Sequence, residues 1–281
     1  MGRAVSTLTI WWDTAADGPT NMAADECLAA EAERRDSLLM RFYEWSTTTI
    51  SLGGFQKIED ANRVGVIRGV PLVRRPSGGG AIVHGSDLTY AVAVPKSHPW
   101  GASPQVFYDA LHGAMVEALA AHGIDARPYP AAGAIPPPAD GAAGSDARSA
   151  SDESQFFCFD RRAAGDLVMA AARDGTFSKV MGSAQRRLAG VVLQHGSLLL
   201  RSNAGVAGAA RHLAVADLVA DLVADEQPPE RVGLSRVWGQ RIATALGGTA
   251  REEEGSFLSA NQHDIAALTA RFRDERWTFR R

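Results

Sequence analysis

Lysine is almost missing from this 281-residue chain: Lys57, Lys96 and Lys179 are the only three, and arginine supplies the rest of the 29 basic residues. Against 32 Asp and Glu the formal net charge is −3, and no stretch gathers enough positive charge to track a phosphate backbone, which argues against a nucleic-acid binder. Cysteine is scarcer still. Cys27 and Cys158 cannot build a disulfide framework, and no metal-ligand spacing is present. Nothing approaches the roughly 18 apolar residues of a membrane span, and the apolar run in MGRAVSTLTIWWD is too short for a signal peptide. These absences point to a cytoplasmic enzyme that works without a metal or a membrane.

The chain is long enough to bury a full core, and strand-like and helix-like runs follow one another as in an α/β protein. Residues 8–12 read as a strand, and DGPTNMAADECLAAEAERR as a turn and a helix. Thr20 or Asn21 can cap that helix, Asp25 and Glu26 suit its first turn, and Cys27 reads as a small buried hydrophobe. Residues 38–45 are strand-like, Gly53 and Gly54 mark a sharp turn, and Gln56 faces either a pocket or solvent. Ser103 and Pro104 open a second helix, in which Phe107, Leu111, Met115 and Leu119 form a core stripe; His112 and His122 are assigned surface or packing roles. From 131 to 155 Ala, Gly, Pro and Ser dominate without an apolar period, the composition of a mobile inserted loop. The C-terminal portion, about 211–281, reads as helical, with Leu213, Leu218 and Leu222 at helix spacing, a stop at Pro228 and Pro229, and further helices at 235–246 and 261–273.

Residues 70–94, VPLVRRPSGGGAIVHGSDLTYAVAV, place strand-like runs at 71–75, 81–84 and 88–94 around Gly78, Gly79 and Gly80. Taken alone, the triplet is a turn. With Arg74 and Arg75 beside it, the same loop also suits an anion or a polarised acyl carbonyl, because its N–H groups can approach a ligand without Cβ interference.

The run RRPSGGGAIVHG followed by DLTY resembles the RRxxGGGxVxHD stretch of the biotin/lipoate protein ligase superfamily. A second run, SKVMGSAQRRLAGVVLQHGSLLL at 178–200, resembles that family's lysine-containing strand and the strand after it. The resemblance covers about 21–200. It implies an α/β (α+β) fold, a mixed β-sheet flanked by helices, of the biotin/lipoate protein ligase catalytic type, in one domain over 1–281. One departure stands out: where the family often has aspartate directly after its histidine, this chain reads His84, Gly85, Ser86, Asp87, so the acidic role is either shifted or absent. The segment AAARDG before Thr176 also lengthens the separation of Cys158 from Lys179.

Cys158 lies in Phe156-Phe157-Cys158-Phe159, and on residues alone it reads as a packing thiol. The resemblance points elsewhere. A cysteine just before the lysine strand marks the cysteine-dependent octanoyltransferase branch and its amidotransferase relatives, which implies Cys158 as nucleophile and Lys179 as its partner. A thiolate is the reactive form, and a neighbouring ammonium favours it. Ser77, Gly78, Gly79, Gly80 and His84, with Gly182, Ser183 and Ala184 after the lysine, are the implied substrate-binding residues; the N–H groups near Gly79 and Gly80 would face the developing oxyanion. His195 is assigned a structural role.

The activity implied is transfer of an octanoyl group from acyl carrier protein, through a cysteine thioester, to the lysine of a lipoyl domain such as glycine-cleavage H protein or a 2-oxoacid dehydrogenase E2. No cofactor is then expected. Three alternatives remain at this point: an amidotransferase moving octanoyl or lipoyl groups between lipoyl domains, an ATP- and Mg-dependent lipoate–protein ligase in which Cys158 would be dispensable, and a non-catalytic acyl-binding relative.

Overall fold

A computed structural model describes residues 6–63, 69–130, 156–171, 176–203, 205–206, 209–210, 212–220 and 229–281. The loop expected at 131–155, Leu222 and Pro228 lie outside the described residues.

The chain opens with β1 (Thr7–Trp12), α1 (Gly18–Arg35), β2 (Leu38–Tyr43), β3 (Thr49–Leu52) and α2 (Ile58–Arg63). The glycine region follows as β4 (Leu72–Arg74), β5 (Ile82–His84) and β6 (Asp87–Pro95). Next come α3 (Pro99–Ala102), α4 (Pro104–Ala120), β7 (Arg127–Pro128), β8 (Leu167–Ala170), β9 (Phe177–Arg187) and β10 (Val191–Leu199). The C-terminal portion holds α5 (Val215–Ala220), α6 (Arg231–Ala245), β11 (Thr249–Glu252), α7 (Phe257–Ala260), α8 (Gln262–Arg273) and α9 (Glu275–Thr278). Eight strands form one mixed sheet in the order β11-β1-β2-β6-β10-β9-β8-β7, and β4-β3-β5 form a second, smaller one. The mixed sheet flanked by helices is the expected fold class.

Alternation along the central strands divides the core in two. Met40, Phe42, Leu88, Tyr90, Val92 and Leu198 face α4 and α6, where Phe107, Leu111 and Trp238 are fully buried. Leu39, Ala91, Ala93 and Leu193 face α1 and α8. The expected stripe of α4 is thus core. Its Ser103 makes no side-chain cap bond, however, and the short α3 before it was not foreseen.

Helix α1 corrects the reading of its own start. Asp17 is the cap, accepting from Thr20 N at 2.9 Å, and no acid lies in the first turn. Asn21 and Asp25 instead point inward, one turn apart, onto the buried Arg41 of β2. Its guanidinium donates to Asp13 Oδ2 (2.6 Å), Asp25 Oδ1 (2.7 Å) and Asn21 Oδ1 (3.0 Å), and lies 3.9 Å over the Tyr43 ring. Burial alone would disfavour the Arg41 cation, but the two carboxylates outweigh it and raise its pKa. The helix is therefore pinned to the sheet by charge as well as by alanine packing, and removing one partner of such a cluster costs about 3–5 kcal/mol.

Candidate active site

Cys158 begins a 3₁₀ turn, Cys158–Asp160, held against the smaller sheet. Its N–H donates to Ala81 O at 2.8 Å, and Ala81 N donates to Phe156 O at 3.0 Å. A Cβ on Gly80 would lie 2.8 Å from Cys158 N, so only glycine lets the loop approach the turn this closely. The glycine loop thus positions the thiol by backbone contact.

Lys179 reaches the same point from β9 because of a β-bulge. One step on β8, from Leu167 to Val168, is matched by two on β9, from Met181 to Lys179, with Val180 as the extra residue. Val180 and Met181 both enter the core, and Lys179 is turned to the opposite face. Its Nζ donates to Cys158 Sγ at 3.4 Å and pairs with Asp166 Oδ2 at 2.8 Å. Burial alone would lower the Lys179 pKa, but Cys158 and Asp166 outweigh it and raise the ammonium above its usual value. Asp166 is fixed in turn by Ala163 N (2.6 Å) and Tyr108 OH (2.9 Å); burial, with Asp166 beside it, pushes the Tyr108 phenol well up, so it remains a donor.

The two arginines of the glycine motif part company. Arg75 is buried and braces the loop from within, donating to Ser51 O (2.7 Å), Ser51 Oγ (2.6 Å) and Gly80 O (2.8 Å). Arg74 points away, onto Thr278 O (2.7 Å), Gly53 O (2.8 Å) and Gln56 O (2.7 Å), and lines neither cavity described below. Burial, with Arg280 and Arg281 nearby, lowers its pKa to about 10. Gln56 lines neither cavity; half-buried, it ties Gly53 N (2.8 Å) to Phe156 O (2.9 Å).

Three histidines are fixed by their partners. His84 Nδ1 meets Asp87 Oδ2 at 2.8 Å, and Nε2 meets Ser51 Oγ at 2.7 Å. Ser51 Oγ also accepts from Arg75, and burial lowers the His84 pKa. The acid of the motif is therefore shifted, not absent. Gly85, at φ +132°, makes the bend that brings Asp87 back, and Gly85 N donates to Asp87 Oδ1 at 3.0 Å. Burial opposes the Asp87 charge, but His84, Ser197 and Gly85 outweigh it and hold its pKa below the carboxylate range. His195 joins Asp25 (2.8 Å) to Ser77.

His112, assigned to packing or surface by sequence, is buried beside the site and joins Gly165 O (2.7 Å) to Ser183 Oγ (2.7 Å). Burial lowers its pKa to about 4. His122 is exposed.

Two spaces meet at Cys158. One is a narrow cavity of only about 30 Å³, whose floor crosses the sheet from Gly182 and Ala184 on β9, past His195 and Thr89, to Tyr43 on β2. Gly182, Ser197, Thr89 and Tyr43 are successive partners across β9, β10, β6 and β2, a path of about 14 Å at the usual strand spacing. The other is an open cleft bordered by Gln105, Tyr108, Arg161, Arg162, Asp166 and Lys179. Gly79, Cys158 and Ser183 border both. Gly78 lies outside both walls, and Gly80 lines the cleft alone. Among the described residues no group of three or more His, Cys, Asp and Glu could hold a metal ion, and no helix is long and apolar enough to cross a membrane.

Comparison with known proteins gives concordant matches. The octanoyltransferase LipM of Geobacillus kaustophilus is 36% identical over 186 residues, covering 64% of this chain and 60% of that protein. LipM of Moorella thermoacetica is 34% identical over 198 residues, covering 68% and 64%. The chain thus matches less than two thirds of the length of these relatives. Among solved structures, the putative lipoate protein ligase of Thermoplasma acidophilum with bound lipoic acid aligns with a TM-score of 0.65 at 18% identity, covering 99% of this chain and 100% of that one. A lipoate-protein ligase A bound with ATP aligns at 0.64, also at 18%, covering 98% of each chain. These two likenesses establish the fold. The model of the lipoyl protein ligase A/B catalytic domain matches residues 17–216, and the chain belongs to that family.

Proposed function

We propose that the protein is a cysteine-dependent octanoyltransferase of lipoate biosynthesis, taking octanoate from acyl carrier protein and passing it to the lysine of a lipoyl domain, such as glycine-cleavage H protein or a 2-oxoacid dehydrogenase E2. The observation that carries this reading is the position of Cys158: a thiol 3.4 Å from an ammonium, where a narrow cavity opens into a wide cleft. An eight-carbon chain extends roughly 10 Å at about 1.2 Å per bond, shorter than the floor from β9 to β2, and the narrow cavity must widen from its present volume of about 30 Å³ to admit it. Its burial contributes about 0.8 kcal/mol per methylene.

The Cys158 thiolate attacks the donor thioester carbonyl while the loop N–H groups near Gly79 face the oxyanion. The carbon–sulfur bond of the donor breaks, and its thiolate takes the proton of Lys179. Lys179, now neutral, accepts the proton released when the acceptor amine displaces Cys158. The second step restores the thiolate and ammonium, so protons balance over the cycle. Exchange of one thioester for another is nearly isoenergetic, and amide formation drives the second step without ATP. In this reading Lys179 acts as acid and then base, and Asp166 holds it in place.

The test is transfer from octanoyl acyl carrier protein to a lipoyl domain without ATP, followed by intact mass, with Cys158→Ala and Cys27→Ala alongside. Product from the parent protein and from Cys27→Ala, but not from Cys158→Ala, supports the reading. Modification that needs free octanoate and ATP, and survives Cys158→Ala, sinks it in favour of a ligase.

A further inference from the structure

The open cleft carries more positive charge than the chemistry at Cys158 uses. Lys179 is balanced by Asp166 at 2.8 Å. Arg161 and Arg162, both exposed, border the same cleft, and among the described residues no acid other than Asp166 does. Arg162 gives Nη2 to Phe177 O at 2.5 Å, a contact that leaves its charge uncompensated. Among the described residues the Arg161 side chain has no ion pair or hydrogen bond. Asp160, the adjacent acid, is taken by His212 at 2.8 Å. Arg161 is nonetheless held close to the nucleophile, since its backbone N–H donates to Cys158 O at 3.2 Å.

We propose that Arg161, supported by Arg162, binds the phosphodiester of the donor's phosphopantetheine arm, so that the open cleft is the donor-arm site and the narrow cavity the acyl site. This rests on the octanoyltransferase reading. Fully extended, the arm places its phosphorus roughly 16 Å from its sulfur at about 1.2 Å per bond. Three residues along a 3₁₀ turn advance only about 6 Å, so a partly folded arm brings its phosphate to the arginines while its thioester lies at Cys158. Guanidinium suits the task because its planar fork matches two phosphate oxygens at once. The cleft then selects a phosphorylated thioester, and the acyl cavity selects its chain.

The experiment measures the rate at which Cys158 gains an octanoyl group from three donors: octanoyl-pantetheine, octanoyl-4′-phosphopantetheine and octanoyl acyl carrier protein. The parent protein should prefer the phosphorylated small donor over the unphosphorylated one by roughly ten- to hundredfold. In Arg161→Ala most of that preference should vanish, Arg161→Lys should restore part of it, and the carrier-protein donor should slow by the same factor as the phosphorylated small one. Equal slowing of both small donors, or no slowing of either, would overturn the assignment. Slowing confined to the carrier protein would overturn it as well, since Arg161 would then meet the acidic surface of the carrier and not its arm. If the parent protein gains no octanoyl group from any donor, the transferase reading itself fails and the arm site falls with it.

Discussion

The two cysteine regions of this protein make opposite uses of the same side chain. Cys27 lies inside α1 among alanines, and burial pushes its thiol up to about 11. Cys158 lies on a tight turn between two spaces, with an ammonium at 3.4 Å and a glycine loop against its backbone. Near Cys27 the charges face one another: Arg41, Asp13 and Asp25 are spent on holding a helix to a sheet. Near Cys158 they face a cleft that a ligand can enter. A buried, fully paired cluster contributes to stability, whereas a half-open one can do chemistry.

That contrast breaks most sharply at the sulfur. Cys158→Ala should lower octanoyl transfer at least a thousandfold, while Cys27→Ala should change it less than threefold, as read by product mass; comparable losses from both would erase the distinction. Next comes Lys179→Met, which removes the acid and base and should cost 10²–10⁴ in rate. The same variant should slow iodoacetamide labelling of Cys158 at neutral pH, because a nearby ammonium favours the thiolate. Cys158 and Asp166 raise the Lys179 pKa, so the ammonium persists through neutral pH, and labelling of the parent protein should rise with pH to a plateau and not fall again.

The third effect belongs to the other region. Arg41→Ala should destabilise by about 3–5 kcal/mol, lowering the midpoint of thermal unfolding by roughly 10 °C for a chain of this size. Labelling of Cys158 in the folded fraction should change little. A variant that lost reactivity without losing stability would place Arg41 in the chemistry instead.

The smallest effect concerns acid. His112 is neutral in the fold with its pKa lowered to about 4, so the unfolded chain binds the extra proton first. Stability should therefore fall as pH drops from about 6.5 toward 4, by up to about 3 kcal/mol. His112→Gln should flatten that slope in denaturant titrations; an unchanged slope would assign the acid sensitivity to other groups.

Local patterns made the strands around the glycine loop, the core stripe of α4 and the helices α6 and α8 readable, because each is written in consecutive residues. Cys158 and Lys179 were named through family resemblance, but their meeting depends on a bulge at Val180 that no periodicity announces. Asp87 illustrates the same limit: its return to His84 depends on the bend at Gly85, which sequence order alone left as a shift or a loss. Asp25 was misread as first-turn charge, although Asn21 and Asp25 one turn apart among alanines form an inward polar pair that could have been noticed. Tyr108, His112 and Asp166 converge on Lys179 and Ser183 from separate elements, and long-range packing of that kind leaves no local signature. Arg74 and Arg75 are neighbours in sequence, yet strand alternation sends them to opposite faces, so only Arg75 reaches the loop.

The most direct measurement is a single-turnover chase. Protein loaded with one octanoyl group is freed of donor and mixed with a lipoyl domain in the absence of ATP, and both masses are followed with time. The octanoyl mass should leave Cys158 and appear on the acceptor lysine at matching rates. An adduct that stays on the protein, or hydrolyses while the acceptor remains unmodified, would contradict the account of Cys158 as the carrier between donor and acceptor.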